Sequence, residues 1–375
     1  MDLDVAGEAA LFSDPRMRLT GFHILPYTLP LTEPVTWGGT AYREREGLLL
    51  RLDAAGGAAG WGDAAPLPGF SRETLAETRR ALGVLGEATV GQDIDPAQVL
   101  LPFGAIARGL DAQGSPPSAR FAFDLALADL AAQADGRTIP QILHPDPEVV
   151  LPTSGLAMGD ADTVLAAADR LVAAGYTSVK VKVGRGDLEA EAYLVQAIRQ
   201  RVGPGVEIRL DANRAWSVEQ ATAFAAAVAG AGIAYVEEPL RDASVLPELW
   251  HDTGLAVAVD ESVQERGEAA IRGWARAAVL KPTLLGGIAA TLRLALHARS
   301  VGVRPVLSAS FESGVGLRGV AALAAATGAE PAGLGTYRWL AADVLDERLP
   351  LDRARIDVPG LFARPVALRD GPLEP

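Results

Sequence analysis

Two lysines one residue apart, in the run SVKVKVG at 178–184, sit among apolar, β-branched neighbours. Lysine is rarely buried without a partner. In a strand, residues two apart point to one side, so Lys180 and Lys182 share a face. Four further apolar runs also end in charge: Asp211 in EIRLDAN, Glu237 and Glu238 in AYVEEPL, Asp260 and Glu261 in AVAVDES, and Lys281 in AAVLKPT. A charge just past one strand is ordinarily a solvated loop residue. Five consecutive strand ends carrying such charges form a pattern.

Alternation sorts the doublets. Glu237 and Glu238 cannot both face the same centre, and neither can Asp260 and Glu261. One member of each pair, with Asp211, supplies three carboxylates from neighbouring strands. Oxygen donors without histidine or cysteine suit Mg²⁺, with Mn²⁺ as a substitute. Lys180 and Lys182 lie one strand before Asp211 and Lys281 one strand beyond Asp260, so the lysines flank the ion. A lysine beside another cation and near a divalent ion is expected to have a lowered pKa and to act as a base near neutrality. In this reading Lys180 tunes and Lys182 moves the proton. The ion holds a small-molecule carboxylate substrate and stabilises the enediolate left when its α-proton departs.

Such a site needs elements that gather strand ends. From about residue 146, short β-branched runs alternate with Ala-rich amphipathic stretches: LPTSGLA, then the five segments above, then RPVLSAS and, weakly, AGLGTY. Seven or eight βα units imply a parallel sheet closed as a TIM-type barrel, with its chemistry at the C-terminal strand ends. Residues 17 to about 60 read as strands broken by Gly and Pro. From Ser71 to about Leu130 the pattern is helical, with Ser71 as the cap signal opening SRETLAETRRALGVL and a glycine ending the helix that contains FAFDLALADL. The expected division is a loose extension over 1–16, an α+β capping domain over 17–145, a barrel over 146–340, and a segment over 341–375 packing back on the capping domain.

Composition narrows the classes. The chain has 375 residues, 49% hydrophobic and 22% charged, enough for a large core. A formal net charge of -13 argues against a nucleic-acid partner. The absence of cysteine excludes disulfides, thiolate metal sites and cysteine nucleophiles. The acidic start lacks the basic and apolar regions of a signal peptide, and no apolar run is long enough to span a membrane. The expected setting is the cytoplasm, with homo-oligomer formation compatible with it. His23, His144, His251 and His297 fall away from the strand ends and read as structural or surface residues.

Together KVKVG, RLDANRAW, VEEP, VDES and LKPTLLGG resemble the enolase superfamily, in its muconate-lactonizing-enzyme branch. The resemblance implies a capping domain over a modified (β/α)7β barrel. It places the Mg²⁺ ligands at Asp211, Glu237 and Asp260, a choice that parity leaves open. Within the branch, GWGDAAPLPGFSRET, FAFDLALADL and RLDANRAW resemble the o-succinylbenzoate synthases of menaquinone biosynthesis. That implies Lys182 as the base and returning acid, and Lys281 as the cation steadying the enediolate from the opposite face. Arg209 and Asn213 share the parity of Asp211 and are expected to orient substrate or lysines. Ser308 and Ser310 are expected to bind the succinyl carboxylate, and the loop from Pro66 to Ser71, with Phe70, to close the mouth.

Absences separate some rivals. LSASFES lacks the histidine that a mandelate-racemase-type site uses at the seventh strand, and GLGTYRW lacks the acidic pair of the dipeptide epimerases. Muconate cycloisomerisation and N-succinylamino acid racemisation share the lysines and metal site and stay open. A non-catalytic barrel binding an anionic metabolite is the remote alternative.

Overall fold

The computed structural model describes residues 16–370, apart from 38, 103, 105, 108, 110–113 and 329, so the expected N-terminal extension lies, all but its last residue, outside the described residues. The N-terminal part is an antiparallel sheet flanked by helices. Strands β1 (Met17–Trp37), β2 (Thr40–Ala54), β3 (Ala59–Ala64) and β4 (Asp93–Ile94) stand in the order β3-β2-β1-β4.

Helix α1 (Leu75–Thr89) begins later than the sequence suggests. Thr74, not Ser71, is its N-cap: the Glu77 amide donates to the Thr74 hydroxyl, and the Glu77 carboxylate accepts from the Thr74 amide at 2.8 Å. The Ser71 hydroxyl instead accepts from the Leu67 amide at 2.8 Å and closes the preceding turn. Helix α2 (Pro117–Asp135) is buried from Ser118 to Ala132 and packs against the capping sheet and the barrel helices. Burial all round explains its weakly amphipathic sequence. It meets β3 so closely that a Cβ on Gly62 would stand 1.8 Å from the Ala122 carbonyl oxygen, so only glycine fits there.

After β5 (Val150–Pro152) the chain forms seven parallel strands: β6 (Gly155–Ala157), β7 (Ser178–Lys182), β8 (Glu207–Asp211), β9 (Tyr235–Glu237), β10 (Val257–Val259), β11 (Ala277–Leu280) and β12 (Arg304–Leu307). The weak eighth segment shrinks to Ala332 and Gly333, which bridge in parallel to Thr153 on one side and Ser308 on the other. Their amides donate to the carbonyls of Pro152 and Leu307, both at 2.9 Å, and close the ring. The architecture is therefore α/β, a modified (β/α)7β barrel beneath an α+β cap.

Helices cover the strands, among them α3 (Ala161–Ala173), α4 (Leu188–Val202), α5 (Val218–Ala227), α6 (Leu246–Thr253), α7 (Glu261–Arg266), α8 (Gly287–Ser300) and α9 (Gly314–Thr327), the last buried along its whole length. Beyond Trp339, the Ala341 amide donates to Pro30 of the cap at 2.8 Å, while β13 (Arg355–Asp357) pairs with β5. Among the described residues no helix is long and apolar enough to cross a membrane.

Candidate active site

Strand β7 shows how the sequence builds the site. Val179 and Val181 are fully buried, while Lys180 and Lys182 occupy the alternate positions and are partly exposed. Lys182 is in register with Asp211, and Asp211 with Glu237, so the ladder itself sets these charges side by side. Lys180 Nζ donates to both oxygens of Glu237, at 2.7 and 2.9 Å, and lies 2.8 Å from Asp211 Oδ2. Lys182 Nζ donates to the same Asp211 oxygen at 2.6 Å and to Asn213 Oδ1. Lys281 pairs with Asp260. The three carboxylates are almost wholly buried, and the ammonium groups face a cavity of about 390 Å³ between cap and barrel.

These contacts set the charge balance of Lys180 and Lys281. Burial alone lowers the pKa of Lys180, but the Asp211, Glu237 and Asp260 carboxylates outweigh it and hold the ammonium well above the usual lysine value. Lys281 is raised too, by Asp260 and then Glu237 and Glu261 against the pull of burial. The acids divide. Against the opposing effect of burial, Lys180 and Lys182 hold Asp211 far below the usual carboxylate range. Glu237 is pushed up to about 8 by burial and then by the charge of Asp211, despite its contact with Lys180. Burial raises Asp260 as well, and the Asp211 side of the trio keeps the firmest negative charge.

The doublets part as alternation requires. Glu238 turns away from the cavity and is fully buried, accepting from the Asp260 amide at 2.9 Å, the Ser262 amide at 2.8 Å and Arg214 Nε at 3.2 Å. It therefore fixes the backbone that carries Asp260. Glu261 accepts from Asn213 Nδ2 at 3.1 Å, and burial raises its pKa. The non-glycine residues at positive φ among those described, Asn213, Arg214, Glu238 and Phe311, all lie at this end of the barrel. Strain of this kind gathers at functional sites.

Of the remaining expected residues, Asn213, Ser308, Ser310 and Phe70 line the cavity. Arg209 does not. It is buried lower in the barrel, where Nη1 donates to the Pro331 carbonyl at 2.7 Å and Nη2 pairs with Glu207 at 3.0 Å. Parity with Asp211 holds, but two residues along a strand is a different depth. Ser71 is absent from the lining as well, being engaged in the turn at Leu67. The histidines stay away: none lines the cavity.

Sequence reasoning missed an aromatic wall. Trp37, at the end of β1, packs edge-on against Phe311 with ring centroids 4.9 Å apart, and both line the cavity with Phe70. No periodicity marks them, because loops of the cap and barrel bring them together from distant positions. Trp37 Nε1, Ser310 Oγ and Thr336 Oγ1 belong to lining residues and are buried without hydrogen-bond partners. Thr336 likewise escaped notice, since it follows a strand too short to recognise.

Among the described residues no group of three or more histidine, aspartate or glutamate side chains is spaced to hold a metal. The donor chemistry still fits a hard divalent cation. Three buried carboxylates carry mutual repulsion that raises Glu237, and hard oxygen donors of this kind suit Mg²⁺.

Residues 163–362 match the family described as "Enolase C-terminal domain-like", and residues 19–130 match "MenC, N-terminal domain". An o-succinylbenzoate synthase from Yersinia enterocolitica is 33% identical over 309 residues, covering 80% of this chain and 84% of that protein. Among solved structures, a substrate-liganded L-Ala-D/L-Glu epimerase from Bacillus subtilis superposes with a TM-score of 0.79 at 25% identity, over 91% of this chain and 96% of that one. A dipeptide epimerase from Enterococcus faecalis, complexed with Mg and a dipeptide, gives 0.82 at 24% identity, over 92% and 99%.

Proposed function

The chain belongs to the enolase superfamily, and from that premise we propose that it is an o-succinylbenzoate synthase, dehydrating 2-succinyl-6-hydroxy-2,4-cyclohexadiene-1-carboxylate to 2-succinylbenzoate. The observation that carries this reading is the likeness of the cap to the MenC N-terminal domain and of most of the chain to an o-succinylbenzoate synthase; the three lysines flanking a buried carboxylate trio support the proton-transfer chemistry common to the superfamily. Asp211, Glu237 and Asp260 would hold Mg²⁺, which supplies positive charge beside the substrate carboxylate and makes its α-proton more acidic. Neutralising these carboxylates also removes the field that raises Lys180 and Lys281.

Lys182 Nζ takes the α-proton from the ring carbon and gives it to the departing hydroxyl, so water leaves and the ring becomes aromatic. The group acts as base in its amine form and as acid once protonated, and Asn213 and Asp211 aim Nζ through their contacts with it. Lys281, which follows the last apolar residue of β11, remains a cation and stabilises the negative charge that develops on the substrate carboxylate. The three unpartnered donors, Trp37 Nε1, Ser310 Oγ and Thr336 Oγ1, suit a second polar arm such as the succinyl group, and the aromatic wall suits a planar ring.

An ultraviolet assay of aromatisation tests this with wild type, Lys182→Ala and an EDTA-treated sample, N-succinyl amino acids being assayed alongside. We expect Lys182→Ala to lose about 10³-fold or more in kcat, and EDTA to abolish turnover until Mg²⁺ is restored. Metal-dependent racemisation without aromatisation would move the function to an N-succinylamino acid racemase.

A further inference from the structure

Arg45 is a buried cation that the chemistry above leaves unused. It lies on β2 and is 2% exposed. Its guanidinium meets carbonyl oxygens: Nε donates to Phe311 at 3.0 Å, Nη1 to Glu46 and Pro66, both at 2.9 Å, and Nη2 to Ala65. Its carbon stands 5.8 Å from the Trp37 ring centroid. We propose that Arg45 is a positioning residue that locks the cap loop and the barrel loop into one wall of the substrate cavity.

Three separate segments supply that wall, and Arg45 touches each of them. Ala65 and Pro66 are the root of the loop carrying Leu67 and Phe70, which line the cavity. That loop is a tight turn, with the Phe70 and Ser71 amides both donating to the Leu67 carbonyl, so fixing its root fixes its aim. Phe311 has a φ of 62°, a conformation that a bulky L residue rarely adopts. Holding its carbonyl holds the peptide that sets its ring against Trp37. A planar fork with five donors can span three segments; a lysine ammonium is a compact point charge without that fork.

The proposal rests on the cavity being the substrate site, so the experiment separates the two claims. Arg45→Met and Arg45→Lys are compared with wild type in Mg²⁺, at a temperature where circular dichroism shows all three folded. Hydrogen exchange should accelerate at least fivefold in peptides covering 65–71 and 308–313 of both variants, with 178–182 and 207–211 unchanged. KM for the cyclohexadiene carboxylate should rise at least tenfold, with kcat within threefold. Unchanged exchange in the two loops, or acceleration spread evenly through the barrel, would overturn the proposal. If Arg45→Met does not fold, Arg45→Lys decides by the same readings. If wild type does not act on that substrate, the functional reading fails, and the exchange pattern still decides the role of Arg45.

Discussion

The barrel carries two ionic networks, one at its mouth and one at its floor, and they behave differently. At the floor, Arg209 and Arg304 meet Glu207 and Glu330: Arg209 Nη2 lies 3.0 Å from Glu207 and 3.6 Å from Glu330, and Arg304 Nη2 lies 2.8 Å from Glu207. Opposite charges there reinforce one another. The arginines lower Glu207 against the effect of burial, and the hydrogen bond to Glu330 leads the effects that raise Arg304. At the mouth, lysines replace arginines, and the acids are driven apart, Asp211 down and Glu237 up. Arginine keeps its proton in any protein environment, whereas lysine can give one up. The difference separates a network of matched charges from one whose acids compete, and only the second has the residue types that the proposed proton transfer needs.

The largest expected effect tests the mouth. Lys281→Ala should reduce kcat/KM in the aromatisation assay by about 10²- to 10⁴-fold. Its unfolding free energy should change little, because Asp260, already raised by burial, can take up a proton once its cation is gone. Intact activity with a large loss of stability would make the mouth a second structural network and break the comparison.

The floor should respond the other way. Arg209→Met leaves Glu207 and Glu330 short of a partner and removes the donor to Pro331, which we expect to cost about 3 kcal/mol in urea unfolding. Its kcat should stay within a few-fold of wild type. A loss of kcat comparable to that of Lys281→Ala would place Arg209 back in the role that its parity suggested.

That misplacement shows what was legible. Period-two alternation distinguishes faces, so it identified Lys180 with Lys182 and separated Glu237 from Glu238. It carries no information on depth, and Arg209 and Asp211 share a face at different levels. The βα rhythm revealed the barrel because each unit is local in sequence. Ala332–Gly333 was faint because two residues between neighbours are enough to close the ring. Trp37, Phe311 and Arg45 were invisible for another reason: their meeting depends on how the cap sits on the barrel, a contact between distant segments.

A carboxylate at the seam of cap and barrel sharpens the comparison, because a raised pKa alone does not make a site. Asp63 on β3 is fully buried and accepts from the Tyr27 hydroxyl, the Ser313 amide and the Ser313 hydroxyl, all at 2.8 Å. Burial raises it to about 6, the hydrogen bonds from Ser313 and Tyr27 opposing. Its folded value therefore lies above the unfolded value of 3.8, so its contribution to stability is complete below about pH 4 and is lost as pH rises through about 6. Between pH 5 and 7 the loss should be about 1 kcal/mol. Asp124, also raised to about 6, titrates in the same window, so the wild-type slope alone cannot isolate Asp63. The difference between wild type and Asp63→Asn can: urea unfolding at pH 5, 6 and 7 should show the variant gaining on wild type as pH rises. Parallel slopes would mean that Asp63 is ionised throughout, its three donors outweighing burial, and that this seam resembles the floor more than the mouth.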